Sequence, residues 1–174
     1  MNSLRSAYRR LRPGIDERLA QFRANLKDDK KIFSELCFCI FTANANAVKC
    51  DEAVKALSRD CCHYKGCVRR ISSRIKGCVR FHNKKAQFLV LARKRFPEIR
   101  EVIGGADMIA VSDWLVENIK GYGYKEASHF LRNIGLGRDI AILDRHILKN
   151  LKRYGVISKI PDSVGSRKIG RAHV

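Results

Sequence analysis

Lys125 and Asp144 are the residues whose types and spacing best suit joint chemistry in this chain of 174 residues. A neutral lysine amine attacks electron-poor carbon, and a carboxylate beside the reacting centre stabilises positive charge as it develops there. Together they suit cleavage of a bond to a sugar carbon, where the transition state is oxocarbenium-like. The amine must first lose a proton, because an ordinary lysine has a pKa of ~10.4. Lys125 falls in the first turn of a predicted helix, at the wrong end of the macrodipole for a cation, so the dipole favours the uncharged form. Partial burial and nearby cations such as Lys120 would push the same way. Asp144, nineteen residues further on, heads the run Arg145 to Leu151 and reads as an N-cap whose carboxylate stays ionised. Asp139 is the weaker rival for its role.

The element that must hold Lys125 is a helix, a glycine hairpin and a second helix, spanning 112–134. Ser112 is the expected N-cap of a helix carrying Trp114, Leu115, Val116 and Ile119, and Gly121 and Gly123 end it. The next helix places Ala127, Phe130, Leu131 and Ile134 on one face, and Gly135 closes it. Glycines at 121 and 123 are free to take positive φ and leave the backbone uncovered, so another backbone can come close. Free N–H groups at the start of the second helix form a phosphate site that positions a nucleic-acid duplex without reading its sequence. Lys120, Gly121, Gly123 and Tyr124 are the candidate DNA-binding residues.

Each feature alone has a plain structural explanation: a lone lysine is ordinarily a solvated cation, a lone Asp before an apolar run a cap. The conjunction carries the functional reading, and composition supports it. With 36 Lys+Arg against 17 Asp+Glu the net charge is +19, which makes a polyanion the expected large partner, and 45% apolar residues argue for a folded core over a basic tail. No run approaches the ~18 to 20 apolar residues of a membrane span, and residues 1–12 lack a signal-peptide core. An intracellular protein with seven reduced cysteines is expected, cytoplasmic and held on the nucleoid through DNA. Cys61, Cys62, His63, Cys67 and Cys78 are numerous but lack paired C-x-x-C spacing, so neither a metal nor another cofactor is expected.

At Ile119 to Ala127 and Ile142 to Leu148 the chain resembles the helix-hairpin-helix superfamily of DNA glycosylases, and more closely the archaeal-type 8-oxoguanine DNA glycosylase/AP lyase family. The resemblance covers roughly 28–160, including Phe33 to Asn46 and Val79 to Ala86. It implies Lys125 as the Schiff-base nucleophile, Asp144 as its partner carboxylate, and excision of 8-oxoguanine followed by strand cleavage. The superfamily often has a proline before the Asp; the loop 135–144 has none. Damaged or abasic double-stranded DNA is the implied partner, with no membrane and a monomeric enzyme. Two readings compete: a non-catalytic helix-hairpin-helix DNA-binding module, and a basic ribosomal or RNA-binding protein.

The expected fold is all-α: one unit over 1–168 in two helical lobes, with the hairpin at their junction. Pro13-Gly14 opens a helix with Ile15, Leu19, Phe22 and Leu26 on one face. A second, from Ile32 to about Ala43, is apolar nearly all round and should be central. A third runs through Ala53, Val54 and Leu57, and Val68, Ile71 and Ile75 mark a fourth. Asn83 is the expected cap of a helix from Lys84 to Phe96, stopped by Pro97. That helix carries Lys84, Lys85, Arg93, Lys94 and Arg95, a solvated face or a phosphate-tracking one. Residues 169–174 look like a translated sequencing adapter, which implies a truncated, non-native end.

Overall fold

The computed structural model describes residues 2–138 and 140–161, so Asp139 and the adapter-like 169–174 lie outside it. Its described residues form ten α-helices and no strand. They are α1 (Asn2–Asn25), α2 (Asp29–Thr42), α3 (Ala47–Ser58), α4 (Cys62–Lys65), α5 (Val68–Ile75), α6 (His82–Lys94), α7 (Phe96–Val102), α8 (Met108–Asn118), α9 (Tyr124–Asn133) and α10 (Arg145–Arg153). The all-α expectation holds.

Helix α2 is the centre because it buries residues on every side: Ile32, Phe33, Leu36, Cys37, Cys39, Ile40 and Phe41 are all buried. Asp28 caps it, accepting from the N–H groups of Lys30 and Lys31. Helices α1, α3, α6 and α9 pack around it. Asn46 caps α3 through the Lys49 N–H at 3.2 Å. The thiols of Cys37, Cys39 and Cys50 are buried in this core as small apolar groups, and all seven cysteines are unpaired.

Several boundaries depart from expectation. Pro13 lies inside α1 instead of opening it; the proline removes one intrahelical hydrogen bond, on a stretch exposed throughout. Of the expected apolar face, Phe22 is buried and Leu26 packs on the core, while Ile15 and Leu19 are exposed. Asp107, not Ser112, caps α8, accepting from Ile109 and Ala110 N–H groups; Ser112 is buried within the helix. A carboxylate after Gly104-Gly105 starts the helix five residues earlier. Phe81, not Asn83, occupies the cap position of α6, and Asn83 instead accepts the Ser72 hydroxyl, tying α6 to α5. Pro97 sits in the first turn of α7, where its missing N–H costs nothing, so it starts a helix instead of stopping one. Helix α4 was not expected.

Gly135 closes α9 with φ +83°, and a Cβ there would lie 2.6 Å from the Arg23 backbone. Only glycine lets α1 cross the end of the hairpin helix so closely. Beyond it, Leu143 and Leu148 form a small apolar cluster of their own with Leu151, Ile157 and Ile160, which seats α10.

Candidate active site

Helices α8 and α9 are joined by the turn Ile119 to Gly123. Ile119 and Tyr122 point inward: both are buried, and the Tyr122 hydroxyl donates to the Leu36 carbonyl of α2 at 3.2 Å. Lys120 and Gly121 are left exposed at the tip. The Tyr124 hydroxyl donates to Asp113 at 2.9 Å, so this candidate DNA contact also clamps α9 to α8.

The two glycines do different work. Gly121 has φ +90°, and its Cβ would come 2.6 Å from the Phe88 ring. The absent side chain thus makes room for a residue of α6 and not for an outside backbone alone. Gly123 is extended (φ −114°, ψ −178°), so the expected positive φ is realised only at Gly121. Gly123 lends α9 no side-chain cap, and its own N–H is taken by Glu126 Oε2 at 3.2 Å. Gly121→Ala should lower stability by about 2 kcal/mol, since it strains φ and meets Phe88. Urea denaturation checks this, and duplex binding should weaken in parallel.

Lys125 is the second residue of α9, its side chain 33% exposed, with Nζ 3.1 Å from Glu126 Oε1. Its field reaches Lys85 of α6 and His129 one turn along α9. Lys85 is only 5% exposed and donates to the Phe41 and Ala43 carbonyls, each at 2.6 Å, capping the end of α2. Burial is the main force pulling its ammonium below the usual lysine range; Lys125 and Arg80 act the same way, and Cys50 and Glu126 oppose.

Asp144 caps α10 as expected, its Oδ1 accepting from His146 N–H at 2.9 Å and Ile147 N–H at 2.8 Å. Among the described residues, the ion-pair partner of Lys125 is Glu126; Lys125 and Asp144 are not locked to each other.

Beside the hairpin lies a cavity of about 250 Å³ lined by Ile40, Asn44, Phe81, Lys85, Phe88 and Gly121, among others. Phe81 is an exposed aromatic (57%) held at φ +58°, with the Arg80 guanidinium 5.0 Å from its ring. A non-glycine residue with positive φ is uncommon and points to a site. A larger open groove, about 1070 Å³, is lined by Arg18, Glu35, Phe38, Asp51 and Asn133, among others, and includes none of the predicted site residues.

Three of these residues were not anticipated. Lys85 falls at i, i+4, i+7 with Leu89 and Ala92, so the helical period did mark it as inward-facing. Gly123-x-x-Glu126 is the spacing of a capping box, a signal equally present in the sequence. Phe81 had no such signal, because a positive φ at phenylalanine comes from its surroundings. Of the basic run on α6, only part is a free face: Arg93 donates to the carbonyls of His63 and Gly66, and Arg95 pairs with Glu98 and Asn118.

Burial, followed by the charges of Arg132 and Lys125, brings His129 down from 6.5 to about 4, and its ring packs edge-on to Phe38. The folded state therefore keeps it neutral where the unfolded chain takes up a proton. Stability should fall as pH drops through this window, by up to about 3 kcal/mol. Glu35, raised chiefly by burial, binds its proton more readily in the folded state and offsets part of the loss. Denaturation at about pH 7 and about pH 5 should show a shallower dependence for His129→Gln than for the unmodified chain.

Helix α8, the turn carrying Lys120 and helix α9 make this a helix-hairpin-helix protein, with an aromatic-walled cavity beside the turn. The family model described as 8-oxoguanine DNA glycosylase matches residues 15–171. The chain belongs to the 8-oxoguanine DNA glycosylase family. It is 36% identical over 171 residues to the 8-oxoguanine DNA glycosylase/AP lyase of Fusobacterium nucleatum subsp. nucleatum, covering 94% of this chain and 78% of that protein. The crystal structure of the 8-oxoguanine DNA glycosylase of Thermotoga maritima superposes with a TM-score of 0.86 at 32% identity, covering 97% of this chain and 80% of that one. The Methanocaldococcus jannaschii 8-oxoguanine glycosylase/lyase, solved in complex with a 15mer DNA containing 8-oxoguanine, matches with a TM-score of 0.82 at 36% identity over 92% of this chain and 76% of that one.

Proposed function

We propose that this chain excises 8-oxoguanine from double-stranded DNA and then cuts the strand at the abasic site, with Lys125 as nucleophile and Asp144 as the supporting carboxylate. Family membership gives the glycosylase and lyase activities; the residue roles are argued from chemistry. A base inside a duplex shields its sugar C1′, so the nucleotide must be extruded before attack. The two helical lobes would hold it between them at the hairpin. Lys120 and the Gly121 amide, with Gly123 shaping the turn and Tyr124 bracing it, take the backbone phosphates.

Lys125 Nζ forms a bond to C1′ while the base leaves with the electrons of the glycosidic bond and gains a proton. The Asp144 carboxylate stabilises the positive charge at the sugar during departure. Ring opening gives a protonated imine between Lys125 and C1′. Loss of a C2′ proton then expels the 3′ phosphate, and water releases the sugar fragment from the lysine. The cavity walled by Phe81 and Phe88 suits a flat purine, with Lys85 at its edge.

The observation that carries this reading is the placement of Lys125 in the first turn of α9, at the root of the glycine turn whose Gly121 lines the cavity. A cytoplasmic protein, held on the nucleoid through DNA, goes with the reading; no described helix is long and apolar enough to cross a membrane. Incubation with duplexes carrying 8-oxoguanine, an abasic site or no lesion tests it. Base release and nicking of the first, nicking of the second and sparing of the third are expected. Tight binding of all three without cleavage would leave only a DNA-gripping module.

A further inference from the structure

Glu126 is the residue at the hairpin root to which the proposed reaction gives no part. Its side chain is only 12% exposed, and its two oxygens face different groups. Oε2 accepts the Gly123 N–H at 3.2 Å, and Oε1 lies 3.1 Å from Lys125 Nζ. One carboxylate thus joins the backbone of the DNA-gripping turn to the amine of its neighbour.

We propose that Glu126 is a positioning residue for Lys125, fixing the direction of the amine relative to the hairpin until attack. The proposal rests on the reading of Lys125 as nucleophile. A lysine has four rotatable side-chain bonds, and a nucleophile left to sample them loses the advantage of proximity. The Gly123 contact restrains the carboxylate, so the amine is aimed from a fixed point. The charged and titratable groups around Lys125 give this contact its weight. Lys85 comes from α6, His129 from the next turn of α9 with its ring kept neutral, and Glu126 alone among the three is negative. The Glu126 charge also reaches Lys85. Nζ must leave its carboxylate partner before it can bond to C1′.

Glu126→Gln isolates this role, because glutamine keeps the length and an oxygen for the Gly123 N–H but removes the charge. The readout is single-turnover borohydride trapping on abasic duplex across a range of pH. The plateau rate should fall about fivefold through lost aim, with duplex binding unchanged. A residue that merely caps the helix would leave the plateau in place, and that result overturns the proposal. Glu126→Asp keeps the charge with a shorter reach, so a lowered plateau is expected; a wild-type plateau would also overturn it. Lys125→Gln, run in parallel, separates the two layers. If it still traps, the nucleophile assignment fails; if it does not trap and the Glu126→Gln plateau is unchanged, only the role of Glu126 fails.

Discussion

Lys125→Gln should abolish borohydride trapping on abasic DNA and cut nicking of the 8-oxoguanine duplex by about three orders of magnitude or more. The amide cannot form an imine, and the nearby Lys85 amine is committed to two carbonyls at the end of α2. The fold should survive, because Lys125 is partly exposed and its ion pair with Glu126 contributes only about 0–1 kcal/mol. Equal melting temperatures with lost trapping would assign the nucleophile. Persistent trapping would move it elsewhere.

Asp144→Asn is expected to slow base excision by about 10²–10³-fold, the effect of removing one charge that stabilises the transition state. The substitution is informative because Asp144 already has a structural duty. It accepts from the His146 and Ile147 N–H groups at the head of α10, and asparagine is as good an N-cap as aspartate. The variant should therefore melt like the parent and bind duplex equally well while excising slowly. Asp144→Ala, by contrast, should also lose about 1 kcal/mol of stability with the cap. Normal excision by the asparagine variant would reduce Asp144 to a helix cap.

Much of this was written in local pattern. The apolar circumference of Ile32 to Phe41 marks α2 as the core helix, and the glycine pair with its flanking apolar faces marks the hairpin. Asp144 before an apolar run marks the start of α10. Helix starts were less legible: Asp107 displaced Ser112 as the cap of α8, and α6 starts after Phe81, which offers no side-chain cap, while Asn83 is engaged by Ser72. Proline was misread twice because its effect depends on context. In α1 the missing bond falls on exposed chain, and in α7 the ring sits where no N–H is needed. Tertiary packing decided the remainder. Which lysine of the run 84–94 would be buried depends on where α2 ends, and the backbone of Phe81 depends on what surrounds it.

Phe88 stands under Gly121 on one side and forms a wall of the cavity on the other. The turn proposed to meet the phosphates and the chamber proposed to receive the base therefore share a single ring as their common boundary. On that reading, a displacement of the turn by bound DNA would change the size of that chamber, and a bulkier or smaller residue at position 88 should alter which lesion is accepted.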